Sequence, residues 1–273
     1  MQTNSFSINR LLLLLKYDLF GMGRRFWLVL GATLLMWGFS INTMTNSVKF
    51  ASRDDWNNAA IKPYLYFEAI FFTFPASHLI VGMLFTSIIF FQLTTKGEKL
   101  IYLSLPATIF EKWLSKWVIT GIIFPLGFLF FYLLGIQGIL MYNGVSLFAV
   151  SDSGMLIGHQ IMQALQWYWV LHALFFLGAM TFTKWSGVKT LLVLSGILVI
   201  LTLVARTSLL LFYGEWIPFA DFANLFVASS FSRINIEDVD LALINRIVYI
   251  FLSIAALIFL MISYLKLKEK EVA

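Results

Sequence analysis

Long apolar blocks separated by short polar stretches dominate the chain. Each block holds about 20 residues, the length that a helix needs to cross about 30 Å of hydrocarbon. The pattern therefore predicts an all-α, polytopic integral membrane protein with six transmembrane helices and no separate soluble domain. The predicted spans are residues 26–44, 65–93, 118–142, 155–182, 190–213 and 247–265.

The segment before the first span, residues 5–23, predicts a helix that lies flat at the membrane surface. Its apolar stripe at helical spacing consists of Ile8, Leu11, Leu12, Leu15 and Leu19. Arg10 and Lys16 lie away from this stripe, and Gly21 and Gly23 end the pattern. An interfacial helix has this division of faces. The alternative is a first span that begins early and contains a kink.

The composition is typical of a membrane protein and excludes several kinds of chemistry. Hydrophobic residues make up 60% of the chain and charged residues 12%, with a mean hydropathy of +0.86, whereas about 25% of the residues in a soluble domain are charged. The chain has no cysteine, which excludes disulfides and thiolate chemistry. The net charge of +5 does not imply nucleic-acid binding, because basic residues in membrane proteins mainly mark cytoplasmic loops.

The distribution of basic residues predicts the orientation. With both termini in the cytoplasm, 13 of the 19 basic residues lie on the cytoplasmic side, 5 lie in outer segments, and Arg206 lies within a span. This bias favours that orientation. The 13 are Arg10, Lys16, Arg24, Arg25, Lys96, Lys99, Lys112, Lys116, Lys184, Lys189, Lys266, Lys268 and Lys270.

The predicted cytoplasmic loop between spans two and three, residues 94–117, contains local structural signals. Gly97 is expected to break the preceding helix, and a short helix over residues 98–104 would expose Leu100 and Leu103 until Pro106 ends it. Thr108 and Glu111 have the spacing of a capping box, so a second helix is expected to begin near residue 109.

These two helices are expected to form a compact surface of mixed charge. Its charged members are Lys96, Glu98, Lys99, Glu111 and Lys112, arranged around Tyr102, Leu103 and Leu105. Apolar anchors with flanking charges are typical of a docking surface for a soluble partner. The residues alone leave equally open a loop that only packs on the membrane surface.

The sequence LSLPAT at residues 103–108, followed by FEKWLSKW at residues 110–117, resembles the permease subunits of ABC-2-type exporters. In that family a coupling helix between spans two and three docks on an ATP-binding subunit. The resemblance implies such an ATPase partner, a second permease subunit (the same or a related chain), surrounding lipids and a bacterial inner-membrane location. The coupling residues that it implies are Glu98, Lys99, Leu103, Leu105, Pro106, Thr108, Glu111 and Lys112.

The resemblance also implies that the outer segment, residues 214–246, forms short re-entrant helices. Ile217, Phe222, Leu225, Phe226 and Phe231 are too apolar for a fully solvated loop. An aromatic belt at the membrane surface would equally explain this composition.

Polar residues inside the predicted spans are candidates for a pathway or for contacts between helices. His159, Gln163 and Gln166 lie on one face of span four, where interhelical hydrogen bonding is favoured over a translocation surface. Arg206 would be costly at the bilayer centre, so it is expected to reach the outer interface or to pair with a carboxylate. Glu68, one turn into span two, has the same two interpretations.

Several catalytic motifs are absent from the sequence. It contains no P-loop, so ATP would have to bind to another chain, and the histidines form no metal-binding motif. We expect a non-enzymatic permease that binds no cofactor itself. The alternatives are a membrane enzyme or lipid-processing protein without an ATPase partner, and an ion-coupled carrier. The substrate is left open.

Overall fold

The computed structural model describes residues 5–21, 31, 33, 35, 36, 38, 39, 77–93, 96–142, 151–182, 184–213 and 241–272. These residues form helices and no strand, which confirms the prediction of an all-α chain for this part. The main helices are α1 (Ile8–Gly21), α2 (residues 77–88), α3 (Lys96–Ser104), α4 (Ile109–Val118), α5 (Phe124–Tyr142), α6 (Ser151–Thr181), α7 (Ser186–Tyr213) and α8 (Leu241–Val272).

Within the described parts of the chain, three helical stretches are long and apolar enough to cross a membrane. They are Ile109–Gly135, Ser186–Val204 and Tyr249–Lys270. A bent pair, Ser77–Leu93 with Gly97–Ser104, would make a fourth if it is one span. These helices agree with a membrane protein, while the number of six spans stays a prediction. The predicted span 26–44, apart from six helical positions, and most of the outer segment 214–246 fall outside the described residues.

The segment predicted as the loop between spans two and three contains the two predicted helices. The second begins at Ile109, as its capping residues indicate. The first begins at Lys96, so Gly97 lies in its first turn rather than between two helices. The preceding helical segment already ends in a 3₁₀ turn at Phe91–Leu93.

The helices belong to two compact units, Met1–Gly187 with Leu252–Ala273, and Val188–Phe251. The core of the first unit lies where α2, α3, α6 and α8 meet. The ring of Phe90 packs edge-on against Phe176, with 4.8 Å between centroids. Other buried members of this core are Phe85, Ile89, Leu93, Tyr102, Ile119, Ala173, Met180, Ala256, Leu260 and Leu267.

The second unit contains most of α7, and many side chains of this helix are apolar and exposed. Leu192, Leu198 and Ile200 are each more than 60% exposed. The hydroxyl of Thr202 donates to the carbonyl of Leu198, so this polar group is satisfied within the helix itself. Such a surface suits contact with lipid chains, where internal backbone bonding is required.

A π-helical turn, Ile119–Ile123, joins α4 to α5, and the three segments form one continuous helical stretch. The backbone N–H of Phe124 donates to the carbonyl of Ile119, five residues earlier. A π turn inserts one extra residue into a helix, and such turns are frequent at functional sites. It changes which side chains of α4 and α5 face the core.

Candidate docking segment and its buried support

The helix α3 presents apolar side chains at the surface of the first unit. Leu100 is 71% exposed and Ile101 is 60% exposed, and the side chain of Glu98 is exposed beside them. Tyr102 points the other way and is buried. We call Glu98, Leu100 and Ile101 the α3 surface.

Two hydrogen bonds hold α3 against the following helix. The buried ammonium of Lys112 donates to the carbonyl of Leu103 at 2.6 Å. The hydroxyl of Tyr102 donates to the backbone carbonyl of Lys112 at 3.2 Å. A cation at the last turn of α3 also faces the negative end of the helix dipole. Lys112 therefore holds α3 against α4 through two groups, its side-chain ammonium and its backbone carbonyl.

The carboxylate of Glu111 stabilises the beginnings of two helices. Its Oε2 accepts from the backbone N–H of Thr108 at 2.8 Å, which completes the predicted capping box of α4. Its Oε1 accepts from the backbone N–H of Ser7 at 2.6 Å, at the residue before α1. The guanidinium of Arg10 lies 3.1 Å from the same oxygen. One buried carboxylate thus joins the starts of α1 and α4.

A buried ion pair joins the other ends of these helices. Lys116 Nζ lies 2.7 Å from Asp18 Oδ1, and both side chains are fully buried. Ser115 donates to Asp18 Oδ2 at 2.7 Å, and Lys116 also donates to the side-chain oxygen of Gln92 at 2.7 Å. The ammonium lies 4.9 Å from the ring centroid of Tyr102. Both charges therefore have several partners, as burial requires.

Aromatic contacts connect α4 to the last helix. The indole N–H of Trp113 donates to the hydroxyl of Ser263 at 2.9 Å, and its ring packs edge-on against Tyr264. Phe110 packs edge-on against the same tyrosine. Since α4 also contacts α1 and α3, it is the common support of this end of the unit.

A second polar cluster surrounds the π turn. The hydroxyl of Tyr168 donates to the backbone carbonyl of Thr120. The side chain of Thr120 donates to the carbonyl of Lys116 at 2.9 Å and lies 2.7 Å from His172 Nε2. His172 and Tyr168 are buried. Tyr168 therefore supplies a donor to a backbone carbonyl of the turn, and His172 contacts the hydroxyl of the same threonine.

The predicted coupling residues divide into surface and interior positions. Glu98 and Pro106 are exposed, and Lys99, Leu103, Leu105 and Thr108 are partly buried. Glu111 and Lys112 were expected in a mixed-charge surface, but both are buried and bonded to α1 and α3. Their contact with an ATPase stays a prediction, and their visible contacts are internal.

Of the predicted polar positions in the spans, the structure describes the side chain of Gln166, which is exposed. His159, Gln163 and Arg206 lie on helices, but their side chains fall outside the described residues. Glu68 falls outside them entirely. The described part of the chain contains no group of three or more His, Cys, Asp or Glu side chains that could hold a metal.

The sequence analysis missed the pairing of Asp18 with Lys116. A partial signal was present, because Asp18 is the sole acidic residue among the first 50. The structure adds that Leu14, four positions earlier, is buried. In a helix this spacing puts the carboxylate on the face that buries the leucine. An acidic side chain there needs a buried partner.

Comparison of the chain with protein-family models gives no match, and comparisons with curated proteins and with solved structures give none either. The chemistry of the site must therefore be judged from its geometry. The described charges at the α1–α4 junction, Arg10 with Glu111 and Asp18 with Lys116, are paired with one another. The α3 surface, in contrast, is exposed.

Proposed function

We propose that this chain is the permease subunit of an ATP-driven exporter and that a separate ATPase subunit docks on the α3 surface. The observation that carries the proposal is the exposure of Leu100 and Ile101 on a short helix anchored from beneath by Tyr102 and Lys112. Exposed apolar side chains of this kind are typical anchors for a groove on a partner.

The buried contacts supply a route for motion. A displacement of α3 would act on α4 through Lys112, and α4 carries α1 with it through Glu111 and Lys116. The α4 helix continues through the π turn into α5, so the displacement would reach a membrane-spanning helix. Packed and hydrogen-bonded elements can carry such coupling.

The remaining parts of the proposal rest on the resemblance of residues 103–108 and 110–117 to ABC-2-type permeases. They are a dimer of this chain or a heterodimer with a related one, a bacterial inner-membrane location, cytoplasmic termini, and ATP hydrolysis on the partner alone. The transported pathway would lie on span surfaces. The coupling helix of the family would correspond to the α3 segment.

The test is purification of the tagged chain from its native cells in mild detergent, followed by identification of bound proteins and measurement of ATP turnover. We expect a stoichiometric partner that contains a P-loop and hydrolyses ATP. Leu100→Asp and Ile101→Asp should abolish its binding. Trp185→Asp is the matched control, since Trp185 is 77% exposed on a different loop.

A chain that purifies without an ATPase and is active alone would contradict the proposal. That result would favour the membrane-enzyme or lipid-processing alternative. An ATPase that stays bound in both α3 variants would place the docking surface elsewhere.

A further inference from the structure

Two buried polar atoms near the π turn have no hydrogen-bond partner among the described residues. They are Nε1 of Trp117, on α4, and Nδ1 of His172, on α6. The neighbouring Trp113 differs, because its indole donates to Ser263. A buried polar group without a partner costs about 1–3 kcal/mol, so two of them at one place require an explanation.

The hydrogen bonds around Thr120 fix which of these atoms donates. The single hydroxyl proton of Thr120 is used by the carbonyl of Lys116. With that proton engaged, His172 Nε2, which lies 2.7 Å from the same hydroxyl oxygen, is assigned as the donor of this contact. In a neutral imidazole the other nitrogen is then an acceptor. The indole N–H of Trp117 can only donate.

Gly121 separates the two rings. A methyl group built on this glycine would lie 3.5 Å from Trp117 Nε1 and 3.5 Å from His172 Cε1. These are ordinary contact distances, so the Nε1 edge of Trp117 and the Cε1 edge of His172, next to Nδ1, border the same position beside the glycine. The space lies within the helical stretch Ile109–Gly135, which is long and apolar enough to cross a membrane.

We propose that the space beside Gly121 is a binding site for one hydroxyl group, supplied by water or by an alcohol. The hydroxyl oxygen accepts from Trp117 Nε1, and its proton is donated to His172 Nδ1. A carbonyl or an ether could only accept, and an ammonium could only donate. A hydroxyl satisfies both nitrogens with one oxygen atom. The site does not depend on the exporter proposal.

Nuclear magnetic resonance of the tryptophan indoles tests this site directly. The chain has nine tryptophans, and Trp117→Phe assigns the Trp117 signal in protein labelled with ¹⁵N at tryptophan. The protein is held in a phosphocholine detergent, which has no hydroxyl group. We expect a cross-peak between the Trp117 indole proton and water. A saturable shift of that signal on titration with 1-octanol would identify an alcohol as the better ligand.

Gly121→Ala and Gly127→Ala form a matched pair. The first adds a methyl group to the site, while the second adds one where nothing lies within 4 Å. Gly121→Ala should remove the water cross-peak and the octanol response of Trp117, and the other indole signals should report an intact fold. Gly127→Ala should change neither.

Two results would overturn the proposal. The first is a wild-type Trp117 signal with neither a water cross-peak nor an octanol response. The wild-type spectrum decides this point even if Gly121→Ala does not fold. The second is a folded Gly121→Ala protein that keeps the response in full.

Discussion

Lys116 and Asp18 form an ion pair with 2.7 Å between Nζ and Oδ1, although 98 positions separate them in the sequence. The pair joins α1 to the last turn of α4. Both side chains are fully buried, so each charge depends on the other.

Removing one member of this pair should be more harmful than removing both. We expect Asp18→Leu or Lys116→Met to lower the free energy of unfolding by about 3–5 kcal/mol, because an unpaired charge stays buried. The double variant should recover much of this loss. Titration with a denaturing detergent measures each stability, and Lys16→Met on the exposed side of α1 is the control. Additive losses in the double variant would contradict the expectation.

Glu111→Ala should loosen both α1 and α4. The variant removes the acceptor of the Ser7 and Thr108 backbone N–H groups, which we expect to cost about 2–4 kcal/mol. Limited trypsin digestion should then cut after the exposed Lys16 faster than in the original protein. Glu269→Ala, at an exposed pair with Lys266, should leave the rate unchanged. Equal cleavage rates in both variants would show that Glu111 does not hold α1.

Gly82→Ala should destabilise the packing between α2 and α6. An added methyl group would lie 2.3 Å from a ring carbon of Tyr168 and 3.1 Å from Phe124. Overpacking of this kind costs about 1–3 kcal/mol. Gly196→Ala, which adds a methyl group to open space, is the control, and thermal inactivation of both variants in detergent is the measurement. A Gly82→Ala protein as stable as the control would be inconsistent with the close approach of α2 and α6.

The termini should both be cytoplasmic, because 13 basic residues lie on that side in the six-span arrangement and 5 lie outside. Compartment-sensitive reporters fused at Ala273 and inserted at Asp54 should give opposite signals. The same signal from both positions would refute the six-span arrangement.

The features of this fold that depend on residues close together in the chain could be predicted from the sequence. Thr108 and Glu111 lie one helical turn apart, so their reciprocal caps and the start of α4 at Ile109 follow from local chemistry. The apolar blocks likewise predicted helices long enough to cross a membrane. These features need no knowledge of which helices meet.

The burial of particular side chains could not be predicted in the same way. Lysine is usually a surface residue. The contact of Lys112 with the Leu103 carbonyl depends on how the chain turns between α3 and α4. His172 lies away from the polar stripe predicted on α6, yet it contacts the π turn, while Gln166 of that stripe is exposed. The π turn rotates the side chains of α5 relative to those of α4. Because α5 is apolar around its whole circumference, its hydrophobic pattern does not reveal this rotation.

The distance between Asp18 and Lys116 in the sequence has a consequence for biosynthesis. A ribosome that adds about 5–20 residues per second needs about 5–20 s to extend the chain by the 98 positions between them. During this interval Lys116 has not been synthesised, so the Asp18 carboxylate must be hydrated or held by another partner until then. Its docking, and the completion of this end of the protein, follow the emergence of α4 from the ribosome.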